Sequence, residues 1–121
     1  MKISFYRYDL KLRHPFTIAR GSRTVESVVI VQLEHDGIVG YGEAAPSKRY
    51  GDDENTVQVF LSKIDLRRFE SPFELESISE YMDGLAEGNY SAKAAVDIAL
   101  HDWIGKKLDI PITQEPETVT I

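Results

Sequence analysis

Apolar and polar residues alternate along the first third of the chain, and a period of two predicts strands. Ile3 and Phe5 sit between polar neighbours, and Tyr8, Leu10 and Leu12 resume the alternation in shifted phase, as a bulge would produce. Val25 to Glu34 is rich in β-branched residues. It puts Ser27, Val29, Val31 and Leu33 on one face and Val28 and Ile30 on the other. Asp36-Gly37 then separates two apolar runs, the strongest short-range hairpin signal. Ile38 to Ala45 is the return strand, in which Gly40 and Gly42 weaken the strand locally and permit close backbone approach. Together these segments predict a three-stranded antiparallel meander.

Beyond residue 50 the period changes from two to that of a helix. Asp52 or Asp53 can cap a first helix whose Val57, Phe60, Leu61 and Ile64 form one stripe. Ser71-Pro72-Phe73-Glu74 has the pattern of a capping box with proline at the first helical position, so a second helix is expected to start there. Leu75, Ile78, Met82 and Leu85 supply its buried face, and Gly84 or Gly88 marks its end. A third helix is expected from Ser91. Its apolar stripe is Ala92, Ala95, Val96, Ala99, Leu100, Trp103 and Ile104, with Lys93, Asp97, Lys106 and Lys107 facing out. Pro111 ends it, and the tail 111–121 closes on the β-branched Thr118-Val119-Thr120-Ile121, which can form a short strand. Strands followed by helices define an α+β domain: a three-stranded meander and then a three-helix bundle.

Composition narrows the function. With 121 residues the chain fits one domain, and 42% hydrophobic residues suffice for a core. A net charge of −6 argues against nucleic acid as a partner. There is no cysteine, which excludes a disulfide framework or thiolate metal site and fits a reducing cytoplasm. The start of the chain has no signal-peptide apolar region, and the run Val28 to Val31 is far too short to span a membrane. A soluble cytoplasmic domain is the expectation.

Three segments carry a family resemblance, in order. The first is His14-Pro15-Phe16, Arg20-Gly21-Ser22-Arg23 and Glu26-Ser27-Val28. The second is Gly40-Tyr41-Gly42-Glu43-Ala44-Ala45-Pro46. The third runs from Ser91-Ala92-Lys93 through His101-Asp102. Together they resemble the amino-terminal part of dipeptide epimerases and their muconate cycloisomerase relatives in the enolase superfamily, over residues 1 to 111. The resemblance implies a capping domain over residues 1–110 that sits on the mouth of a (β/α)-barrel and closes it with two loops. In the parent enzyme the barrel supplies lysine acid/base catalysts and carboxylates that hold a divalent metal, usually Mg2+, which stabilises an enediolate.

A (β/α)-barrel needs about 200 residues or more, and none follows Pro111. No catalytic residue, cofactor site or metal site is therefore expected in this chain, and the barrel domain becomes its partner. The tail 111–121 is either a remnant of the first barrel strand or a strand returning to the cap. Within the cap, the loop between the first two strands is expected to hold the substrate-binding residues. Arg20 or Arg23 would bind the acidic side chain of a dipeptide, since a guanidinium offers a fork of donors to a carboxylate. Phe16 and Ile18 would line the same lid, although Phe16 equally suits the core. The second gating loop would be Ser47 to Asp53, with Tyr50 against the substrate and Gly51 giving mobility.

Other residues read as structural. Glu43 alone is too little for a hard cation, which wants several oxygen ligands. Asp97, His101 and Asp102 resemble half a metal site, but a hydrogen-bonded structural histidine is the expectation. Trp103 belongs to the core. The function expected is that of a capping and specificity domain of a dipeptide epimerase-like enzyme, inactive alone. The alternatives are the cap of a muconate cycloisomerase or an o-succinylbenzoate synthase-like enzyme, or a non-catalytic module that self-associates through its exposed barrel-facing surface.

Overall fold

A computed structural model of the chain describes residues 1–18, 21–46 and 53–109, with backbone alone for 10–18 and 21–26. Three strands form one antiparallel sheet in the order β1 (Lys2–Ile18), β2 (Gly21–His35) and β3 (Ile38–Ala44). Three helices follow: α1 (Glu54–Lys63), α2 (Leu75–Leu85) and α3 (Tyr90–Lys107), with a short 3-10 turn at Leu66–Arg68 between the first two. The α+β meander and helical layer are as the sequence implies, and no barrel is present among the described residues.

The hairpin between β2 and β3 follows from its turn chemistry. Asp36 and Gly37 both adopt positive φ, 54° and 75°, the pair of left-handed conformations a two-residue hairpin turn requires. The register it sets pairs Leu33 with Gly40, Val31 with Gly42 and Val29 with Ala44. Val29, Val31 and Leu33 are fully buried on the helix-facing side. Tyr6, Tyr8 and Tyr41 are exposed on the opposite face.

The expected bulge between Phe5 and Tyr8 is not there. Lys2 to Lys11 pair without interruption to Glu34 to Val25. The apolar phase shifts because the sheet face changes partner: Ile3 and Phe5 pack on the helical core, whereas Tyr8 belongs to the outer face with Tyr6. The irregularity lies further on, between Lys11 and Phe16, where Leu12 through Pro15 stand opposite Thr24 alone.

Helix α1 is capped by Asp53, whose carboxylate accepts from the Thr56 backbone N–H at 2.8 Å while the Thr56 hydroxyl faces the Asp53 backbone at 2.9 Å. Val57, Phe60 and Leu61 are its buried stripe, and Ile64 closes it as the C-cap residue. The second helix begins later than Ser71. Glu74 does reach back, accepting from the Ser71 and Glu70 N–H groups, but Ser71 accepts from Phe73, two residues on. Ser71-Pro72-Phe73-Glu74 therefore closes a turn through Glu74 N–H to Ser71 C=O (3.1 Å), and helical backbone starts at Leu75. Ile78 and Met82 are buried, with Leu75 and Leu85 packed partly against the core. Neither glycine caps α2. Ala86 ends it with extended backbone, and Gly88 and Asn89 supply the positive-φ link into α3.

Helix α3 starts within one residue of Ser91 and buries Ala92, Ala95, Val96, Ala99, Leu100 and Trp103. It lies flush on β3 because both partners are small there. A Cβ at Gly42 would overlap the Ala95 carbonyl oxygen, and one at Gly40 that of Ala99. The Trp103 indole N–H donates to the His35 carbonyl at 2.8 Å, which anchors the helix to the end of β2. Lys93 does not face solvent as its position on the wheel implies. Its side chain is only 14% exposed, and its ammonium donates to the Ala86 carbonyl (2.8 Å) and pairs with Asp83 (3.1 Å). The lysine thus satisfies the end of α2, where the helix dipole favours a cation.

Candidate substrate-gating site

The register fixes where the two candidate loops leave the sheet. Strand β3 ends at Ala44, opposite Val29. Past that point β1 and β2 continue alone as a two-stranded ribbon to Ile18 and Gly21. The end of β3 at Ala44 and the far end of the ribbon at Ile18 and Gly21 consequently lie toward the same end of the sheet, away from the Asp36-Gly37 turn.

Much of the expected first loop is strand. Phe16 and Arg23 are direct cross-strand partners, and Ile18 pairs with Gly21, so three residues assigned to a loop stand on the ribbon. The difference has a physical cause: His14-Pro15 breaks the alternation, and the register shift hides the pairing beyond it. Arg20 and Tyr50 lie outside the described residues, as does the tail 111–121.

At the base of the ribbon a polar cluster replaces the apolar row. The Ser27 hydroxyl donates to Asp9 at 2.7 Å, while Arg7 donates to Ser27 (3.0 Å) and to Asp9 (3.3 Å). The Ser27 hydrogen bond, aided by Arg7, holds the Asp9 carboxyl below its usual range against a partial loss of hydration. All three groups sit on the helix-side face, where the row Leu33, Val31, Val29 runs into Ser27. Sequence reasoning misses this cluster, although the spacing of Arg7 and Asp9 is the period-two signal of a shared face.

The other candidates disperse. His101 Nδ1 lies 2.8 Å from the Asp97 backbone carbonyl, a bond within α3. Asp102 turns the other way, accepting from the Tyr41 backbone N–H at 2.9 Å. Glu43 is exposed on the outer face, opposite Ile30. Among the described residues no three His, Asp or Glu side chains converge as a cation site needs. Trp103 is core, 1% exposed.

A cavity of about 560 Å³ lies at the other end of the sheet, between the start of β1 and the link from α1 to α2. Its Asp65 is held by Arg67, whose side-chain and then backbone N–H bonds pull that carboxyl down to about 2. It lies away from the far end of the β1–β2 ribbon. No helix among the described residues is long and apolar enough to cross a membrane.

The fold is an α+β domain in which the last residue of β3 and the β1–β2 ribbon lie at one end of an open sheet. The chain belongs to the family of the mandelate racemase / muconate lactonizing enzyme N-terminal domain, whose model matches residues 2–114. It is 49% identical over 111 residues to the L-Ala-D/L-Glu epimerase of Bacteroides thetaiotaomicron, covering 92% of this chain and 29% of that protein. The N-succinyl Arg/Lys racemase structure from Bacillus cereus shares 37% identity and a TM-score of 0.75 over 88% of this chain and 30% of that one. The Enterococcus faecalis dipeptide epimerase, solved with Mg and L-Leu-L-Tyr, gives 34% and 0.70, covering 88% of this chain and 31% of its own. The chain thus spans about 30% of the length of the relatives it matches. It corresponds to the N-terminal domain of these enolase-superfamily relatives.

Proposed function

We propose that residues 1–110 cap and select substrate for a dipeptide epimerase-like enzyme, with the chemistry residing in a barrel domain. The parent reaction is a metal-assisted 1,1-proton transfer at a dipeptide α-carbon through an enediolate. Mg2+, held by the barrel, would stabilise the negative charge that forms. The observation that supports the reading is that β3 ends, opposite Val29, at the same end of the sheet from which the β1–β2 ribbon extends. Loops that follow these two elements would lie over one mouth.

Within that reading Arg20 or Arg23 binds an anionic substrate side chain, and Phe16, Ile18 and Tyr50 line the closed lid. Phe16 stands opposite Arg23 in the ribbon, which keeps an apolar and a cationic position side by side. The epimerase is favoured over the cycloisomerase by identity, 49% against 29% for a chloromuconate cycloisomerase of Pseudomonas putida. The tail 111–121 continues toward the barrel or returns from it. Isolated, the domain is catalytically silent, resides in the cytoplasm and self-associates through the surface a barrel would cover.

The test is reconstitution. The chain is assayed for α-deuteration of L-Ala-L-Glu in deuterated water with Mg2+, alone and with the separately expressed remainder of the Bacteroides relative. The expected result is no exchange alone and measurable exchange on mixing, lowered about tenfold or more by Arg20→Met or Arg23→Met through loss of a charge-assisted contact. Exchange by the chain alone would overturn catalytic silence. Failure of the folded pair to gain activity over the remainder by itself would overturn the capping role.

A further inference from the structure

Among the described residues the sheet, in the order β1-β2-β3, is open and has two edges, and strand edges invite pairing with other chains. The β3 edge carries unusual company. Asp102 accepts from the outward Tyr41 N–H at 2.9 Å, and the Lys106 ammonium donates to the outward Val39 carbonyl at 2.8 Å. Asp102 and Lys106 also pair with each other at 3.0 Å, and Lys106 stands 4.9 Å from the centre of the Tyr41 ring.

The spacing explains why a helix can do this. Four residues of α-helix rise about 6 Å, and two residues of strand rise about 6.8 Å. Side chains at i and i+4 of α3 therefore meet backbone groups two residues apart on β3, provided the helix lies flush on the strand. Gly40 and Gly42 permit that contact, since Cβ atoms there would overlap α3. One acceptor and one donor on a C=O and an N–H two positions apart are what a single residue of an adjoining parallel strand would provide.

We propose that the Asp102–Lys106 pair is an edge guard: it occupies one outward N–H and one outward C=O at the middle of β3 and so prevents a second copy of this chain from extending the sheet there. The occupant excluded is another strand, because the groups covered are backbone groups and the substitutes offer the same donor and acceptor. The guard rests on α3 and β3 alone and is independent of any catalytic reading.

Sedimentation over a concentration series, combined with residue-resolved amide exchange, tests the inference on the full chain. In Asp102→Leu/Lys106→Met the Tyr41 amide is expected to exchange about tenfold or more faster in dilute solution. On concentrating, that variant is expected to dimerise at least about tenfold more tightly than the wild type, with protection returning along β3. Asp102→Asn keeps an acceptor for Tyr41 and is expected to stay near wild type. Wild-type association of the double variant, or protection gained only away from β3, would overturn the guard. Should the double variant lose its cooperative melt, Lys106→Met alone frees the Val39 carbonyl. The same comparison then decides: tighter association through β3 supports the guard, and unchanged association overturns it.

Discussion

Replacing Gly42 with alanine is expected to destabilise the domain by about 3 kcal/mol, at the upper end for overpacking. The added methyl would overlap the Ala95 carbonyl and crowd the Ala99 backbone. Its obstacles are main-chain atoms of a helix, which cannot swing aside as a side chain tip can. A conformational benefit opposes this cost. Gly42 is not at positive φ, so alanine fits its backbone and lowers the entropy of the unfolded chain by about 0.4–1 kcal/mol. The steric cost outweighs that gain. Gly84 provides the contrast: it lies in the last turn of α2, and a methyl group there would meet nothing within 4 Å. Gly84→Ala is therefore expected to stabilise by about 0.5–1 kcal/mol. Urea melts of both variants check the pair, and the same sign of change in both would contradict the packing account.

Trp103→Ala is expected to be worse still, about 4 kcal/mol. The indole is buried to 1% exposure, with the Phe73 ring edge-on at 5.6 Å and the His35 ring at the same separation. Truncation leaves a cavity and also strips the His35 carbonyl of its 2.8 Å donor. Trp103→Phe separates the two contributions, since it retains most of the ring and loses the N–H, for about 1–3 kcal/mol. Chemical denaturation measures both. A loss under about 1 kcal/mol for alanine would mean that the tryptophan does not hold α3 against the sheet.

Local rules are readable wherever one residue type answers one geometric demand. Asp36-Gly37 announces the hairpin because both positions need positive φ, and the α3 stripe is visible because its period is unbroken. Gly40 and Gly42 signal close approach, and α3 supplies it. Rules that depend on where a long side chain ends are not readable. Lys93 belongs to the polar side of a helical wheel, yet its flexible stem is buried and its head serves a different helix. Ser71-x-x-Glu74 has capping-box letters, but the bonds close a turn ahead of the helix.

The candidate gating residues are harder. Their resemblance to a family points to the connection between β1 and β2, while the strand boundaries there depend on pairing across a register shift that no single-strand pattern records. Phe16, Ile18 and Arg23 consequently move from loop to ribbon, and their proposed contacts with substrate depend on a barrel surface outside this chain. The missing information is long-range: it lies in the partner strand or in another domain.

The unequal count between Lys11 and Phe16 bears on how such hairpins diverge. Four residues of β1 there face one of β2, so residues can be inserted or deleted in that stretch without moving any pair on the sheet side. The joint uncouples the length of the ribbon from the alignment of its base. A lineage can then try new reach and new side chains at the tip, one insertion at a time, while the packed layer beneath keeps its alignment.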